Sequence, residues 1–318
     1  MSKLEKISIL MAAYNAEKTI KSAVESVQVQ TSPLAPLHCG EGKNVETSYY
    51  GVLDGASQTS QPSAAPLPQG SLDKSRQSRV APKLGEMALE ESQRGLEFNF
   101  ELIVVNDCSR DKTAEIVSDI AAKDPRVKLI SNETNLGVSL TRKKALDAAT
   151  GDWIAVLDSD DMWTSDKLEK QLAFAEKTGA DLVFTASAFM DNDGNPIDWQ
   201  LHVPSEMKYR ELLKQNIISN SSVLVKRELY EKFYVVGDYM HNDFAMWLSI
   251  IKAGHKVLGL NEPLLTYRVS GTSKTGNKIK SAKMTWNTYR YIGLNLIEAM
   301  YFMCWYAVRG ILKYRKLR

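Results

Sequence analysis

The sequence predicts an α/β fold of three layers, with helices on both faces of a mostly parallel sheet. Short continuous apolar runs recur along the chain, ISILMAA at 7–13, ELIVVN at 101–106 and WIAVL at 153–157, and read as strands buried on both sides. The segments between them carry apolar residues at helical spacing, and strands alternating with helices of 10 to 15 residues call for parallel pairing. With 318 residues, 44% hydrophobic and 25% charged, the chain has the balance of a globular protein and can bury a core without cross-links.

Taken in order, the run 7–13 ends in the turn chemistry of Tyr14-Asn15, and Ile20, Ala23, Val24 and Val27 follow at i, i+3, i+4 and i+7, one face of a helix. The composition then shifts. Residues 32–97 contain no Ile, Phe or Trp and hold six of the ten prolines, so they are poorly able to bury a core and read as an insertion, with at most a short helix at 85–95. Alternation resumes with the strand 101–106, a helix face of Ala114, Val117 and Ala121, and a strand at 127–130. Two more units follow: helix 137–149 with strand 153–157, and helix 166–176 with strand 182–185. From 191 the pattern breaks. Asp193-Gly194 signals a hairpin, 207–213 and 227–233 read as short helices, and Phe244, Trp247, Leu248 and Ile251 mark another. This half is expected to pack onto the sheet as a lid or acceptor region.

Forty basic and thirty-eight acidic residues leave +2, too small a surplus to point to a nucleic-acid partner. Cys39, Cys108 and Cys304 lack ligand or disulfide-framework spacing, and His38, His202, His241 and His255 form no ligand-spaced cluster. The charged start runs into a strand without an apolar leader, so a reducing, cytoplasmic setting is expected.

Chemistry is expected at the carboxyl ends of the strands, where the loops of an open α/β sheet converge. Acidic residues fall there three times: Asp107 after ELIVVN, Asp158, Asp160 and Asp161 after WIAVL, and Asp243 at the start of the Phe244 helix. Any one of them, taken alone, reads first as a turn or cap residue, and it is three on one rim that shift the reading. Asp158-Ser159-Asp160 also sets two carboxylates two residues apart, which suits a hard divalent cation, Mg²⁺ or Mn²⁺, shared with phosphate oxygens.

In their order, ISILMAAYNAEKTI, FELIVVNDCSRDKT, NLGVSLTRKKAL, GDWIAVLDSDDMW and HNDFAMWL resemble the family 2 glycosyltransferases, inverting enzymes of GT-A fold. The resemblance implies a catalytic domain over 1–273, interrupted by 32–97. It implies a UDP-sugar donor held by Ala13, Tyr14, Asp107, Arg142 and Asp158: Tyr14 stacks near the base, Asp107 receives the uracil N–H, and Arg142 meets the diphosphate as a fixed cationic fork. Asp158 and Asp160 match the metal motif, and Asp243 matches the general base that deprotonates the acceptor hydroxyl. The chain departs from the family pattern at Asn106, Lys143, Asn242 and Ser270, none of them a principal carboxylate. Arg268 and Ser273 match positions near the diphosphate.

At the C-terminus, 291–308 is apolar with the single charge Glu298, near the lower length for a membrane span. On a helical wheel Asn295, Glu298, Arg309, Lys313 and Lys316 share a face opposite Leu296, Met300, Met303, Ala307 and Ile311. With Arg315 and Arg318 at the end, 284–318 is expected to be an amphipathic helix lying on the inner, cytoplasmic membrane face, or else packed on the domain or on a second copy of the chain. The function expected is transfer of a sugar to a lipid-linked glycan acceptor in capsule, exopolysaccharide or lipopolysaccharide assembly. A noncatalytic sugar-nucleotide-binding or scaffold subunit is the alternative.

Overall fold

The computed structural model describes residues 5–30, 98–269 and 278–316. The 32–97 insertion, its short helix, Ser270 and Ser273 lie outside these residues. The chain divides into two units, Met1–Leu34 with Gly95–Arg318 and Ala35–Arg94, and the fold below is that of the first.

Strands β1 (Glu5–Ala13), β2 (Phe98–Asn106), β3 (Val127–Ser131) and β4 (Trp153–Val156) are joined by helices α1 (Ile20–Gln28), α2 (Thr113–Ala121) and α3 (Val138–Asp147). β1 pairs in parallel with β2 and β4, and β2 with β3. Their side chains alternate between two cores: Ile7, Ile9 and Met11 pack beneath α1, whereas Leu10 joins Ile103, Ala145 and Leu146 on the opposite face. The apolar stripe of α1 is buried as its spacing predicts.

The second half departs from the sequence reading. It supplies helices α4 (Lys167–Thr178), α5 (Tyr209–Lys214), α6 (Arg227–Phe233) and α7 (Asn242–Lys252), and also strands β5 (Met162–Trp163), β6 (Leu182–Met190), β7 (Pro196–Leu201), β8 (Leu224–Lys226) and β9 (Val257–Arg268). These complete one nine-stranded sheet in the order β3-β2-β1-β4-β8-β6-β9-β5, with β7 on β6. The hairpin at Asp193-Gly194 forms as expected, with Gly194 at φ +89°. β8 is only three residues long and antiparallel to both neighbours, too short for a periodicity signal. β9 hides behind Gly259, Asn261 and Pro263, residues that punctuate strands. The half expected to lie over the sheet is woven into it.

The C-terminal segment forms two helices, α8 (Lys278–Tyr291) and α9 (Leu296–Lys316), rather than one. Gly293 at φ +88° breaks the chain between them, and Asn295 and Glu298 cap each other's backbone N–H across the first turn of α9, a capping box with Asn in the lead. α9 docks through Ala299 and Phe302, with Met303 and Tyr306 half-buried, onto Tyr289 and Phe244. Leu296 and Met300, on the face expected to be apolar, are exposed, as are Ile297, Tyr301, Trp305 and Val308. The helix thus carries two apolar faces, and the protein covers one.

Candidate active site

The loops after β1 and β2 are locked together by reciprocal hydrogen bonds. Asn15 donates its backbone N–H to Ser109 Oγ (3.0 Å) and accepts from the Arg110 N–H on its side chain (2.9 Å), while the Ala16 N–H reaches Thr113 Oγ1 (2.8 Å). Asn15 and Cys108 both take positive φ, 49° and 59°, the tight reversals that let the loops meet; Asn tolerates this region better than Cys. Tyr14 is left on the rim with about half its surface exposed, 48%. Ala13 is buried, and its carbonyl accepts the Asp107 N–H at 2.8 Å.

Asp107 is buried and its carboxylate is well supplied by its own chain. Oδ1 accepts from Asn132 Nδ2 (2.9 Å) and the Leu136 N–H (2.8 Å), and Oδ2 accepts from the Gly137 N–H (3.0 Å). Burial alone would raise its pKa, but these donors outweigh it and hold the carboxyl below the usual range. Gly137 is required here. Its φ is +81° at the start of α3, and a Cβ would collide with the Asp238 carboxylate.

The acids after β4 are placed differently. Asp158 Oδ1 accepts from Arg142 Nη2 at 2.8 Å and from Asn220 Nδ2 at 3.4 Å. Arg142 projects from α3 and its side chain is 7% exposed. Burial opposes its charge, but Asp158, with smaller contributions from Tyr230, Tyr234 and Asp243, holds its pKa above the ordinary value. Asp243 therefore belongs to the same electrostatic neighbourhood as Asp158, although 85 residues separate them in sequence. Tyr230, fully buried on α6, feels the same two carboxylates. Asp243 lies in the first turn of α7, where the helix dipole favours a negative charge; the capping position itself belongs to His241.

Asp160 is half-buried, and burial together with the charge of Asp158 pushes its carboxyl up to about 6. Asp161 is different again. Its Oδ2 accepts from Ser221 Oγ (2.6 Å) and its Oδ1 from the Arg268 N–H (3.0 Å), and burial, then the neighbouring acids, raises its pKa.

The donor set fits a hard divalent cation: two carboxylates of one loop, with Asp158 Oδ2 and Asp160 making no hydrogen bond to a described side chain. Among the described residues no three His, Cys, Asp or Glu side chains converge, so further ligands would come from the substrate's phosphates or from water.

Arg142 thus binds Asp158, Asp160 follows on the same loop, Asp243 enters only through its weaker charge effect on Arg142, and Ala13, Tyr14 and Asp107 lie on the loops after β1 and β2. Arg268, expected near the diphosphate, gives Nε to the Asp160 carbonyl and Nη1 to the carbonyls of Asp191 and Asn192. Asn220, Ser221 and Tyr230 gave no sequence signal, since they precede or line elements that carry no acidic or glycine-rich motif of their own.

Residues 89–239 match the family model described as glycosyl transferase family 2. TuaG of Bacillus subtilis, a glycosyltransferase assigned to teichuronic acid biosynthesis, is 38% identical over 216 residues, covering 68% of this chain and 86% of that protein. WfgD of Escherichia coli, a UDP-Glc:alpha-D-GlcNAc-diphosphoundecaprenol beta-1,3-glucosyltransferase, is 32% identical over 68% of this chain and 84% of that protein. Among solved structures, S. aureus TarS with UDP-GlcNAc superposes with a TM-score of 0.57 at 16% identity, covering 95% of this chain and 71% of that chain. A Pyrobaculum calidifontis mannosyltransferase with GDP-Man and Mn²⁺ gives 0.55 at 14% identity over 91% and 64%. The sheet and its flanking helices have the GT-A fold of these structures.

Proposed function

The chain belongs to glycosyltransferase family 2, and from that premise we propose that it is an inverting, metal-dependent enzyme that moves a sugar from a UDP-sugar to a hydroxyl of a lipid-linked glycan during polysaccharide assembly. One observation supports the reading: the charge of Asp158 and, more weakly, that of Asp243 both act on the buried Arg142, which puts the residues matched to leaving-group and base chemistry in one electrostatic neighbourhood. Transfer with inversion needs stabilisation of a departing diphosphate on one side of the anomeric carbon and a base on the other. Mg²⁺ or Mn²⁺ held by Asp158 and Asp160 would supply Lewis-acid neutralisation of the diphosphate. Arg142, held charged in a dry setting, adds a fixed cation beside it. Asp243 takes the proton of the acceptor hydroxyl as that oxygen attacks. Tyr14 offers an exposed ring to the base, Asp107 keeps an Oδ2 lone pair for the uracil N–H, and Ala13 fixes the loop between them.

The donor and acceptor classes follow those in the names of the Escherichia coli relatives, WfgD and its counterpart WfaP. The exposed face of α9, with Leu296, Ile297, Met300, Tyr301 and Val308 beside Arg309 and the basic end of the sequence, supports work at the cytoplasmic membrane surface. No helix of the described residues is long and apolar enough to cross a membrane.

The test is UDP release from UDP-sugars with Mn²⁺ and a membrane extract. Asp243→Asn is expected to lower turnover by roughly 10²–10⁴-fold, and Asp160→Ala to remove the metal response. Turnover insensitive to both would overturn the assignment, and tight UDP binding without turnover in the unaltered protein would favour the noncatalytic scaffold. Ile297→Glu with Tyr301→Glu should release the protein from anionic vesicles; unchanged sedimentation would refute the interfacial face.

A further inference from the structure

The turn Asn220–Ser222 before β8 directs the side chains of Asn220 and Ser221 onto the loop that carries Asp158 and Asp160. Ser221 is 1% exposed, and its Oγ donates to Asp161 Oδ2 (2.6 Å) while accepting the Asp158 backbone N–H (3.1 Å). Its own carbonyl accepts from Trp163 Nε1 at 2.7 Å, so the serine is fixed from behind by a buried indole. The neighbouring Asn220 Nδ2 touches Asp158 Oδ1 at 3.4 Å, the oxygen that Arg142 also holds. On the far side of the loop the Arg268 N–H binds Asp161 Oδ1 and Arg268 Nε binds the Asp160 carbonyl, both at 3.0 Å.

The three acids therefore divide their work. Both Asp161 oxygens face protein donors, while Asp158 Oδ2 and the Asp160 carboxylate have no described side-chain partner. We propose that Ser221, acting through Asp161 and the Asp158 backbone, is the positioning residue that presents the Asp158 and Asp160 carboxylates to one cation. This deepens the glycosyltransferase reading and rests on its metal component. The physical reason is that two monodentate carboxylates share a cation only if the backbone between them is fixed, and a loop whose own acids repel one another does not fix itself. A buried hydroxyl that donates to one acid and accepts from the peptide of another sets both ends of the loop at once.

The test measures Mn²⁺ binding directly, by electron paramagnetic resonance of free Mn²⁺ with UDP present, alongside the Mn²⁺ activation constant of UDP release. Ser221→Ala is expected to weaken Mn²⁺ binding and raise the activation constant by roughly 10-fold, within the 10- to 100-fold span of outer-shell losses. UDP binding in EDTA should stay within about 2-fold, which confirms that the variant is folded. Ser222→Ala is the control: it is as buried and in the same turn, but its hydroxyl donates to the Ser219 carbonyl and not to the acidic loop, so it should leave Mn²⁺ binding unchanged. Trp163→Phe removes the bond behind Ser221 together with part of the buried ring beneath Lys167 Nζ, and should shift Mn²⁺ binding in the same direction by less. Equal effects of Ser221→Ala and Ser222→Ala, or unaltered Mn²⁺ binding in Ser221→Ala, would overturn the proposal while leaving the enzyme assignment standing. Absence of any Mn²⁺ response in the unaltered protein would overturn the metal reading and this inference together.

Discussion

The loop holding Asp107 and the loop holding Asp158 to Asp161 both follow a buried parallel strand of one sheet, yet their carboxylates are treated in opposite ways. Asp107 receives three donors from 132–137 and is held below its ordinary pKa. Asp160 receives no described side-chain partner and is pushed up to about 6. A carboxylate satisfied by its own chain stabilises the fold and shapes a loop. One left charged, half-buried and beside another acid costs stability until something cationic arrives. The first carboxylate is largely satisfied by its own chain, and the second is not.

The largest effect that would separate the two loops comes from Asp160→Asn. It should lower metal-dependent turnover by at least about 10²-fold, the span expected when a group that stabilises transition-state charge is lost. It should also raise the thermal midpoint of the metal-free protein, because a half-buried charge beside Asp158, only weakly offset by Arg268, is removed. A falling midpoint would mean that Asp160 belongs to the scaffold after all. Asp107→Ala should show the reverse balance. Stranding buried donors costs about 1–3 kcal/mol each, so the midpoint should drop by several degrees, with weaker UDP binding both from the loosened loop and from loss of the acceptor proposed for the uracil N–H. A midpoint within one degree of wild type would erase the contrast.

Smaller, but sharper in sign, is the pH dependence. The Asp160 carboxyl is raised from 3.8 to about 6 in the fold, so its contribution to stability is full below about pH 4 and is lost as pH rises through about 6. Glu101, pinned near 2 against its burial by Lys128, Thr150 and Ser8, behaves oppositely: its stabilisation is present above about pH 4.5 and is lost as pH falls towards 2. In EDTA, the difference in midpoint between wild type and Asp160→Asn should therefore change between about pH 4 and 6, and that for Glu101→Gln only below about 4.5. Parallel profiles for the two variants would show that the environments do not differ as described.

Much of this was readable in advance. The motifs carried by β1, β2 and β4, the stripe of α1 and the acids at the strand ends follow from patterns of a few adjacent residues, and local pattern is what a sequence displays directly. The strands β8 and β9 were not readable, one being too short for a period and the other broken by Gly259 and Pro263. The C-terminal segment was partly readable: helix was expected there, but not its break at Gly293, and which face packs depends on Tyr289 and Phe244, which meet Phe302 and Tyr306 only in the folded chain. The carbonyl partners of Arg268 were not readable for the same reason, since they lie 76 to 108 residues away.

By itself the sequence determined that there would be a mostly parallel α/β sheet, where its acidic loops would fall, and which family the chain resembles, because short-range patterning dictates strand and helix and orders the motifs. Only the tertiary structure decided which acids are consumed and which stay open. The donors that consume them come from distant turns, Ser221 from 60 residues beyond Asp161 and Leu136 from 29 beyond Asp107, and no local pattern records what will be folded against a side chain.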